Sequence, residues 1–508
     1  MLKSVLLALA LVFPWLNPIA SGPSPSVNPW IMSTMCALLV AVCHRRLTTR
    51  VIATSWLIAA AVSAGMGLLQ YFGMTQNLGT WVHTTSLGDA FANLRQRNQF
   101  ATLTSTGLVS LLWLDSQTLK MSGALKHGRS PGRWVWLAPI LLLLALGNAA
   151  SSSRTGMLQW CLVFGFAVLW APALRSRAVV LASIALLSYG LAVVLLPTLL
   201  EVWSGTPRGN LFARFAEDSG CGDRRVLWAN VLHLIAQKPW AGWGWGELDY
   251  AHFITLYPGE RFCDILDNAH NLPLHLAVEL GVPFALGLGG LLVWWVVRNA
   301  PWAETNPTRQ LAWAVLAVIA LHSLLEYPLW YGPFQFAVAL CVFLLWQSQC
   351  NRAELRVDAT TSNDAVPASM IRSIAFNGTA VIILLVLAIA AWDYWRVSQL
   401  YLLPADRAVS YRDQTQDKVK GSWFFQDQVQ FAALTTTPLT KNNAGEQYAK
   451  ALHLLHFSPE PRVIEAVIES AVLLGKDQEV LYYLQRYKAA FPEAHAQWAA
   501  KSERFKVP

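Results

Sequence analysis

Charged residues are scarce in this sequence of 508 residues. Only 13% are Asp, Glu, Lys or Arg, whereas 55% are hydrophobic. The apolar residues lie in long blocks and do not follow the periodic pattern of a soluble domain, which excludes that class and indicates a membrane protein. We therefore read the formal net charge of +8 as a signal of topology and infer no nucleic-acid binding from it.

Several apolar runs are long enough to cross a membrane, which takes about 20 mostly apolar residues. Residues 51–72, 178–200 and 373–392 meet this requirement without a single charged side chain. We predict eleven spans, and the other eight lie near residues 4–20, 29–43, 99–114, 134–150, 156–172, 272–297, 310–325 and 333–347.

The first apolar run has a second interpretation. Residues 1–20 contain Lys3 followed by an apolar stretch, as a secretory signal peptide does. Cleavage would leave the new end outside, so the topology of the later spans would be the same.

Lys and Arg fall mainly in alternate short loops, and such loops stay on the cytoplasmic side. The opposite loops contain only Arg95, Arg97 and Arg154, and the long segment 201–269 and everything after residue 392 lie on that outer side. The loops predicted to be cytoplasmic contain Arg45, Arg46, Arg50, Lys120, Lys126, Arg129, Arg133, Arg175, Arg177, Arg298, Arg309, Arg352, Arg356 and Arg372.

Two of the seven cysteines lie in the long outer loop, namely Cys221 and Cys263. The other five lie in spans, at their ends or on the cytoplasmic side. An oxidising compartment would let the outer pair form a disulfide. Two unpaired thiols are the alternative.

The sequence thus predicts an all-α polytopic membrane protein with about 11–12 transmembrane helices. In the last part, residues 446–457, 460–474 and 478–491 show helical periodicity and suggest stacked hairpins like tetratricopeptide repeats, either for binding a partner or as a packing appendage. The predicted domains are N-terminal transmembrane helices (1–200), a large outer loop (201–271), C-terminal transmembrane helices (272–394) and an outer helical domain (395–508).

Arginines on the outer side oppose the usual topological preference, so they suggest a substrate. They occur in three motifs, at residues 95–99, 151–156 and 222–225. The guanidinium group of arginine donates two parallel hydrogen bonds to phosphate oxygens in a rigid bidentate geometry, which suits an anionic diphosphate. The alternative is that each arginine binds lipid head groups or caps a helix C-terminus.

The strongest candidate for a general base is His270, which lies just before a predicted span, next to Asn271. An imidazole can accept a hydroxyl proton near neutral pH. A purely structural histidine is the alternative. The spacing of Asp264, Asp267 and His270 also allows a divalent metal on one helix face, although no further ligand cluster is evident.

A second polar cluster contains His322, Glu326 and Tyr327 at the outer end of a span, where Pro328 breaks the helix. An ionisable pair inside a membrane bundle indicates function, and Tyr327 could donate a hydrogen bond to a sugar or phosphate. The Gly- and Trp-rich run at 238–247 lacks the ending of a nucleotide-binding loop. This run could pack tightly within the protein, lie against the membrane interface or stack on sugar rings.

In order along the chain, these pieces resemble the O-antigen ligase and polymerase superfamily, specifically bacterial protein O-oligosaccharyltransferases of the pilin-glycosylating PglL type. The outer domain from about residue 395 favours the protein-modifying branch. The matching pieces are Arg97–Asn98–Gln99, Ser153–Arg154–Thr155–Gly156, Arg225–Val226–Leu227–Trp228 with Pro239 and Gly242–Trp243–Gly244, Asn268–Ala269–His270–Asn271, and His322 through Trp330.

The resemblance implies a fold like the membrane-embedded C class of glycosyltransferases in a Gram-negative inner membrane, with the site facing the periplasm. It implies transfer of an oligosaccharide from undecaprenyl diphosphate to a Ser or Thr hydroxyl of a pilin or another periplasmic protein. His270 would be the base, Arg154, Arg225 and Gln99 would hold the diphosphate, and Tyr327 would complete the site. Arg224 competes with Arg225 for this role. Arg97 is a further candidate for the diphosphate, and Asn98, Asn271, Asp267, His322 and Glu326 are supporting candidates.

The chemistry needs no ATP, metal or other cofactor, because a glycosyl diphosphate is already activated, and a single displacement would invert the anomeric carbon. Rival functions are an O-antigen ligase acting on lipid A core, a polymerase, a transporter or flippase using Arg154, Glu279, Glu326 and His322, and an anchored binding module. A transporter is disfavoured because no inverted repeat is evident, and a simple anchor because so many spans are predicted.

Overall fold

The computed structural model describes residues 2–19, 22–121, 134–170, 172–205, 220–357 and 366–501. Within these ranges the fold is all-helical and has no β-strand. The helices are α1 (Leu2–Leu16), α2 (Val27–Val42), α3 (Thr49–Tyr71), α4 (Arg97–Met121), α5 (Trp134–Ala150), α6 (Arg154–Leu169), α7 (Pro172–Ser204), α8 (Arg224–Gln237), α9 (Leu248–Ile254), α10 (Leu272–Leu280), α11 (Val282–Asn299), α12 (Pro307–Ser323), α13 (Gly332–Val357), α14 (Val366–Ser398), α15 (Thr415–Val419), α16 (Gln426–Thr436), α17 (Ala444–Leu455), α18 (Pro461–Leu473), α19 (Asp477–Ala490) and α20 (Pro492–Lys501).

Each apolar run that we predicted as a span lies mainly on helical backbone where the structure describes it. Four stretches are long and apolar enough to cross a membrane by length and composition: Thr49–Tyr71, Arg177–Ser204, Val282–Ala303 and Gly378–Tyr401. The chain is therefore a helical, multi-pass membrane protein. The total of eleven spans stays a prediction, and the loop cations Lys126, Arg129 and Arg133 lie outside the described residues.

Close helix packing in the membrane part depends on small residues. A Cβ on Gly107 of α4 would overlap Ala60 of α3, and a Cβ on Gly147 of α5 would overlap Ala64 of the same helix. Lipid supplies no hydrophobic driving force between spans, so such close backbone approach supplies the packing energy. Close packing therefore holds α4 against α3, and polar side chains of α4 contact α6.

The start of one predicted span is wrong by about ten residues. The run 272–297 divides at Gly281 into α10 and α11, so the membrane-crossing helix begins at Val282. Gly281 has φ +89°, and a Cβ there would overlap the carbonyl oxygen of Trp240. The loop around Trp240 also accepts the Val282 N–H through the Pro239 carbonyl at 2.8 Å. A contact with a distant segment therefore ends α10, which no apolar pattern reveals.

We expect Gly281→Ala to destabilise this junction strongly. Left-handed backbone costs a residue with a Cβ about 1–2 kcal/mol, and the overlap with Trp240 adds to this. The midpoint of thermal unfolding in detergent should fall by a few degrees, because in a chain of this size 1 kcal/mol shifts the midpoint by only about 1–4 °C. Gly287→Ala on α11 is the matched control, because a Cβ there meets nothing within 4 Å. Equal midpoints for the two variants would refute the packing role of Gly281.

The described residues form two compact units. The first comprises Met1–Ala20, Pro25–Glu217 and Val296–Ala388, and the second comprises Ser21–Ser24, Asp218–Trp295 and Ile389–Pro508. The helices that we predicted in the last part of the chain are confirmed as α17, α18 and α19. Their likeness to tetratricopeptide repeats stays a prediction.

Within the second unit, α9 is packed into the core of the C-terminal helices. Phe253 is 2% exposed and belongs to the same apolar cluster as Leu454 and Ile464. The α9 end is also tied by Arg486, whose Nε donates to the Ile254 carbonyl at 2.7 Å. The C-terminal helices therefore anchor the segment that precedes His270.

Candidate functional site

Four of the candidate arginines lie in the first turn of a helix. Arg97 begins α4, Arg154 begins α6, and Arg224 and Arg225 begin α8. A helix N-terminus carries partial positive charge, which disfavours cations and attracts anions. None of the four lies at the C-terminus of its own helix, and binding to an anion would compensate their unfavourable position.

Side-chain caps fix the starts of α6 and α8. The Ser153 hydroxyl accepts the Gly156 N–H at 3.0 Å, and the Asp223 carboxylate accepts the Arg225 N–H at 3.0 Å. Asp223 also accepts from Arg225 Nε at 2.8 Å, yet 85% of the Arg225 side chain stays exposed. Arg225 is thus oriented by a carboxylate and remains accessible to solvent, which keeps it a candidate beside Arg224.

The starts of α4 and α6 meet in the first unit. Asn98 donates to the buried Glu326 carboxylate at 3.0 Å and accepts the Ser153 hydroxyl at 2.6 Å. Arg97 pairs with Asp89 at 2.6 Å, and Gln99 is only 2% exposed. Three motifs that are far apart in sequence therefore form one contact, in which Asn98 is the central residue.

A chain of buried polar side chains continues below Asn98. Thr102 Oγ1 lies 2.8 Å from His322 Nδ1, and Gln159 Nε2 donates to Thr102 at 2.7 Å and to the Val318 carbonyl at 3.1 Å. We call Asn98, Thr102, Ser153, Gln159, His322 and Glu326 the polar network. Sequence reasoning missed Thr102 and Gln159, because isolated polar residues in apolar runs carry no motif of their own.

Tyr327 begins the short turn that breaks the helix at Pro328. Its side chain is half-buried, and its ring stacks on that of Tyr331 with centroids 6.0 Å apart. The helix ends before Pro328, as the proline predicted. Tyr327 therefore lies between this turn and the buried Glu326.

His270 adopts an unusual backbone conformation in the second unit. Its φ is +49°, in the left-handed region that few non-glycine residues occupy. Its N–H donates to the Asn268 side chain at 2.9 Å, and Trp228 Nε1 donates to the Ala269 carbonyl at 3.0 Å. Backbone strain of this kind persists where surrounding contacts over-determine it, often at functional sites.

The helix after His270 is capped and supported from behind. The Asn271 side chain accepts the Leu274 N–H at 3.0 Å, so His270 directly precedes the N-cap of α10. His275 and Glu279 are buried 3.3 Å apart, and His275 Nδ1 lies 3.5 Å from the Ala269 nitrogen. Glu279 therefore contacts the residue that packs against the His270 turn. This structural role does not support the transporter alternative, in which Glu279 would line a translocation path.

Acidic side chains lie near His270. Desolvation raises the pKa of Asp267, and the nearby His270 and His275 oppose that rise. Burial, with Asp267 and Glu247 close by, raises the pKa of Asp249 to about 7. Sequence reasoning missed Asp249, which the fold of α9 brings to this cluster.

The metal alternative finds no support in the geometry. Among the described residues, no group of three or more His, Cys, Asp or Glu side chains is gathered as a metal site would require. Asp264, Asp267 and His270 are thus near in sequence without forming such a group.

The predicted disulfide is confirmed. Cys221 and Cys263 are bonded with their Cα atoms 5.4 Å apart. The bond joins the start of α8, where Arg224 and Arg225 lie, to the segment that leads to His270. It therefore fixes two candidate regions of the second unit to each other.

Breaking this bond should destabilise the second unit. In the chain-entropy model, a loop with a sequence separation of 42 corresponds to about 4 kcal/mol. We expect Cys221→Ser to lower the thermal midpoint, with Cys161→Ser, an exposed free thiol, as control. Alkylation of the denatured protein should reveal two more thiols after reduction. Equal labelling before and after reduction would exclude the disulfide.

The Gly- and Trp-rich run serves in packing. Gly242 has φ +70°, and a Cβ there would overlap the Glu279 backbone at the end of α10. Trp243 donates to the Leu234 carbonyl at 3.0 Å, while the Trp240 and Trp245 side chains are exposed. The tight-packing interpretation is confirmed, and contact of the exposed rings with membrane or sugar stays a prediction.

The candidate residues are divided between the two units. The first unit contains Arg97, Asn98, Gln99, Arg154, His322, Glu326 and Tyr327. The second unit contains Arg224, Arg225, Asp267, His270 and Asn271. Each set is assembled within its own unit, and a single site built from both sets remains a prediction.

Fold and site residues together define a class: a multi-pass membrane protein, all-helical in its described residues, in which arginines begin several helices and a strained histidine precedes another. Three family models match the chain. One described as "Protein glycosylation ligase" matches residues 90–114, one described as "O-Antigen ligase" matches 139–289, and one described as "Virulence factor membrane-bound polymerase, C-terminal" matches 310–505.

Curated relatives agree with these matches. A general O-oligosaccharyltransferase of Acinetobacter baylyi is 28% identical over 331 residues, covering 62% of this chain and 51% of that protein. The ComP-specific O-oligosaccharyltransferase of the same organism is 24% identical, covering 59% and 52%. An O-antigen ligase of Pseudomonas aeruginosa is 26% identical, covering 55% and 58%.

The resemblance stated from the sequence is confirmed: the chain is similar to O-antigen ligases and to protein O-oligosaccharyltransferases of the PglL type. The chain spans about half the length of the curated relatives it matches. No solved structure matches it significantly.

Proposed function

We propose that the chain is a protein O-oligosaccharyltransferase of a bacterial inner membrane. It transfers an oligosaccharide en bloc from undecaprenyl diphosphate to Ser or Thr hydroxyls of a pilin or another periplasmic protein. The supporting observation is the placement of Arg97, Arg154, Arg224 and Arg225 in the first turns of three helices, where a bound anion is favoured.

The proposed reaction is a single displacement. The acceptor oxygen attacks the anomeric carbon, the bond from that carbon to the diphosphate oxygen breaks, and the hydroxyl proton passes to His270. Arg154, Arg225, Arg224 and Gln99 hold the diphosphate, whose negative charge grows as it leaves. The result is inversion at the anomeric carbon, with no metal or ATP taking part.

His270 suits the role of base by position as well as by chemistry. Contacts from Asn268 and Trp228 fix the peptide group that joins Ala269 to His270, so the His270 side chain starts from a defined point. Preorganisation of this kind lowers the cost of aligning the reacting groups. Asp267 interacts electrostatically with His270 and would stabilise an imidazolium formed by proton uptake.

The outer-side topology fits the same proposal. A disulfide between Cys221 and Cys263 requires an oxidising compartment, which in a Gram-negative cell is the periplasm. The segment that contains His270 would then face the periplasm, where the lipid-linked donor and the acceptor protein meet. The C-terminal helices from about residue 395 would lie on that side too.

The proposal is tested by expressing the chain in cells that make a lipid-linked glycan and a candidate pilin. A mass increase of the intact pilin by one whole glycan supports it. A second function, O-antigen ligase, is favoured by the match over residues 139–289 and by the Pseudomonas relative. Transfer of the glycan to lipid A, with an unmodified pilin, would replace our proposal with that function.

A further inference from the structure

The polar network contains enough fixed donors and acceptors to assign the protonation of a buried histidine. Thr102 Oγ1 has three neighbours: the Asn98 carbonyl at 2.8 Å, Gln159 Nε2 at 2.7 Å and His322 Nδ1 at 2.8 Å. A hydroxyl has one proton to donate and two lone pairs to accept with, so three contacts satisfy it completely.

The orientation of the Gln159 amide is set by its other partners. The Val318 carbonyl lies 3.1 Å from the amide nitrogen and can only accept, so it fixes the orientation; the amide oxygen then faces the Ser105 hydroxyl at 3.0 Å, which also lies 2.8 Å from the Ala101 carbonyl. The nitrogen therefore faces both Val318 and Thr102. Since this nitrogen can only donate, one lone pair of Thr102 accepts from it.

The single Thr102 proton goes to the Asn98 carbonyl, because a carbonyl can never donate and two oxygens 2.8 Å apart without a proton between them would repel each other, whereas His322 Nδ1 can carry a proton. The remaining lone pair of Thr102 then faces His322 Nδ1, so Nδ1 must be the donor. A neutral imidazole with a proton on Nδ1 has an acceptor lone pair on Nε2. The His322 ring is 0% exposed, so water does not compete for this arrangement.

We propose that Thr102 and Gln159 are positioning residues of the active site, which hold His322 as its Nδ1-protonated tautomer and join α4 to α6 and α12. This rests on the proposed function, because the network ends at the Asn98 contact with Glu326 and Ser153 beside Arg154. Neither residue touches the substrate. They act through His322 and through the first turns of α4.

The proposal predicts that glycan transfer depends on a hydroxyl group at residue 102 and not on the shape of the side chain. Thr102→Val preserves shape and loses the hydroxyl, so glycan transfer should fall roughly tenfold, mainly in kcat. Thr102→Ser should restore most of the rate, and Gln159→Leu should resemble Thr102→Val. Thr106→Val is the matched control, since the Thr106 hydroxyl on the same helix donates to the Thr102 backbone carbonyl at 2.9 Å and, among the described residues, hydrogen-bonds to no side chain of the polar network.

The tautomer is measured independently of activity by nitrogen-15 NMR of histidine-labelled protein in liposomes, with His322→Gln to assign the signal. Wild type, Thr102→Ser and Thr106→Val should show Nδ1–H, and Thr102→Val should lose this preference. An Nε2–H signal in wild type, or a Thr102→Ser variant as impaired as Thr102→Val, would overturn the inference. If wild type transfers no glycan, the proposed function fails, and the NMR signals alone decide the tautomer.

Discussion

Replacing His270 with asparagine should abolish glycan transfer and leave the protein folded. Loss of a general base costs about 10²- to 10⁴-fold in rate. Asparagine is the best replacement, because residue 270 has φ +49° and asparagine tolerates left-handed backbone better than most residues. The measurement is the intact mass of a co-expressed pilin over time, at matched amounts of enzyme in the membrane.

A second histidine of the same loop serves as the control for this prediction. His233 lies on α8 with its ring 5.3 Å from that of Tyr257, away from the His270 turn in sequence and secondary structure. His233→Asn should transfer glycan at close to the wild-type rate. Near-normal transfer by His270→Asn would show that the imidazole is not the base, and a similar loss in both variants would indicate a general defect of the loop.

Removing the Arg154 charge should separate activity from stability. Arg154→Gln should slow transfer by roughly 10²- to 10³-fold, as loss of one preorganised charge-stabilising donor does. The same change removes a cation from the N-terminus of α6, which should stabilise the fold by about 0.3–1 kcal/mol. Transfer rates at varied donor concentration and the thermal midpoint would be measured together.

Two further variants sharpen the test of Arg154. Arg154→Lys keeps the charge and loses the bidentate geometry, so its rate of glycan transfer should lie between those of wild type and Arg154→Gln. Arg298→Gln, in the last turn of α11, should leave transfer unchanged. If Arg154→Gln loses activity only together with stability, the arginine is structural and the diphosphate is bound elsewhere.

Most of the helical framework could be predicted from the sequence. Apolar runs of sufficient length marked the helices, and breaks at Pro459, Gly475 and Pro492 separated the helices in the last part. The shared outer position of Cys221 and Cys263 made them candidates for the disulfide that the structure contains. Hydrophobicity and topology are nearly local properties of the chain, which is why these predictions succeeded.

The start of α11 could not be predicted this way. Residues 272–297 are apolar throughout, yet the chain turns at Gly281 because Trp240 packs against it. That contact joins segments about 40 residues apart, and neither segment signals the other. The same loop gives the Gly- and Trp-rich run its function in packing.

By itself the sequence determined the membrane class, the helices and the motifs that contain the candidate arginines and His270, while the bond between Cys221 and Cys263 was left open until the structure showed it. Only the tertiary structure decided that Asn98 joins Ser153 and Glu326, that Thr102 contacts His322 and Gln159, and that Asp249 lies near Asp267. The physical reason is that apolar burial is encoded by composition along the chain. Hydrogen bonds among buried polar groups depend instead on atoms brought together from distant helices.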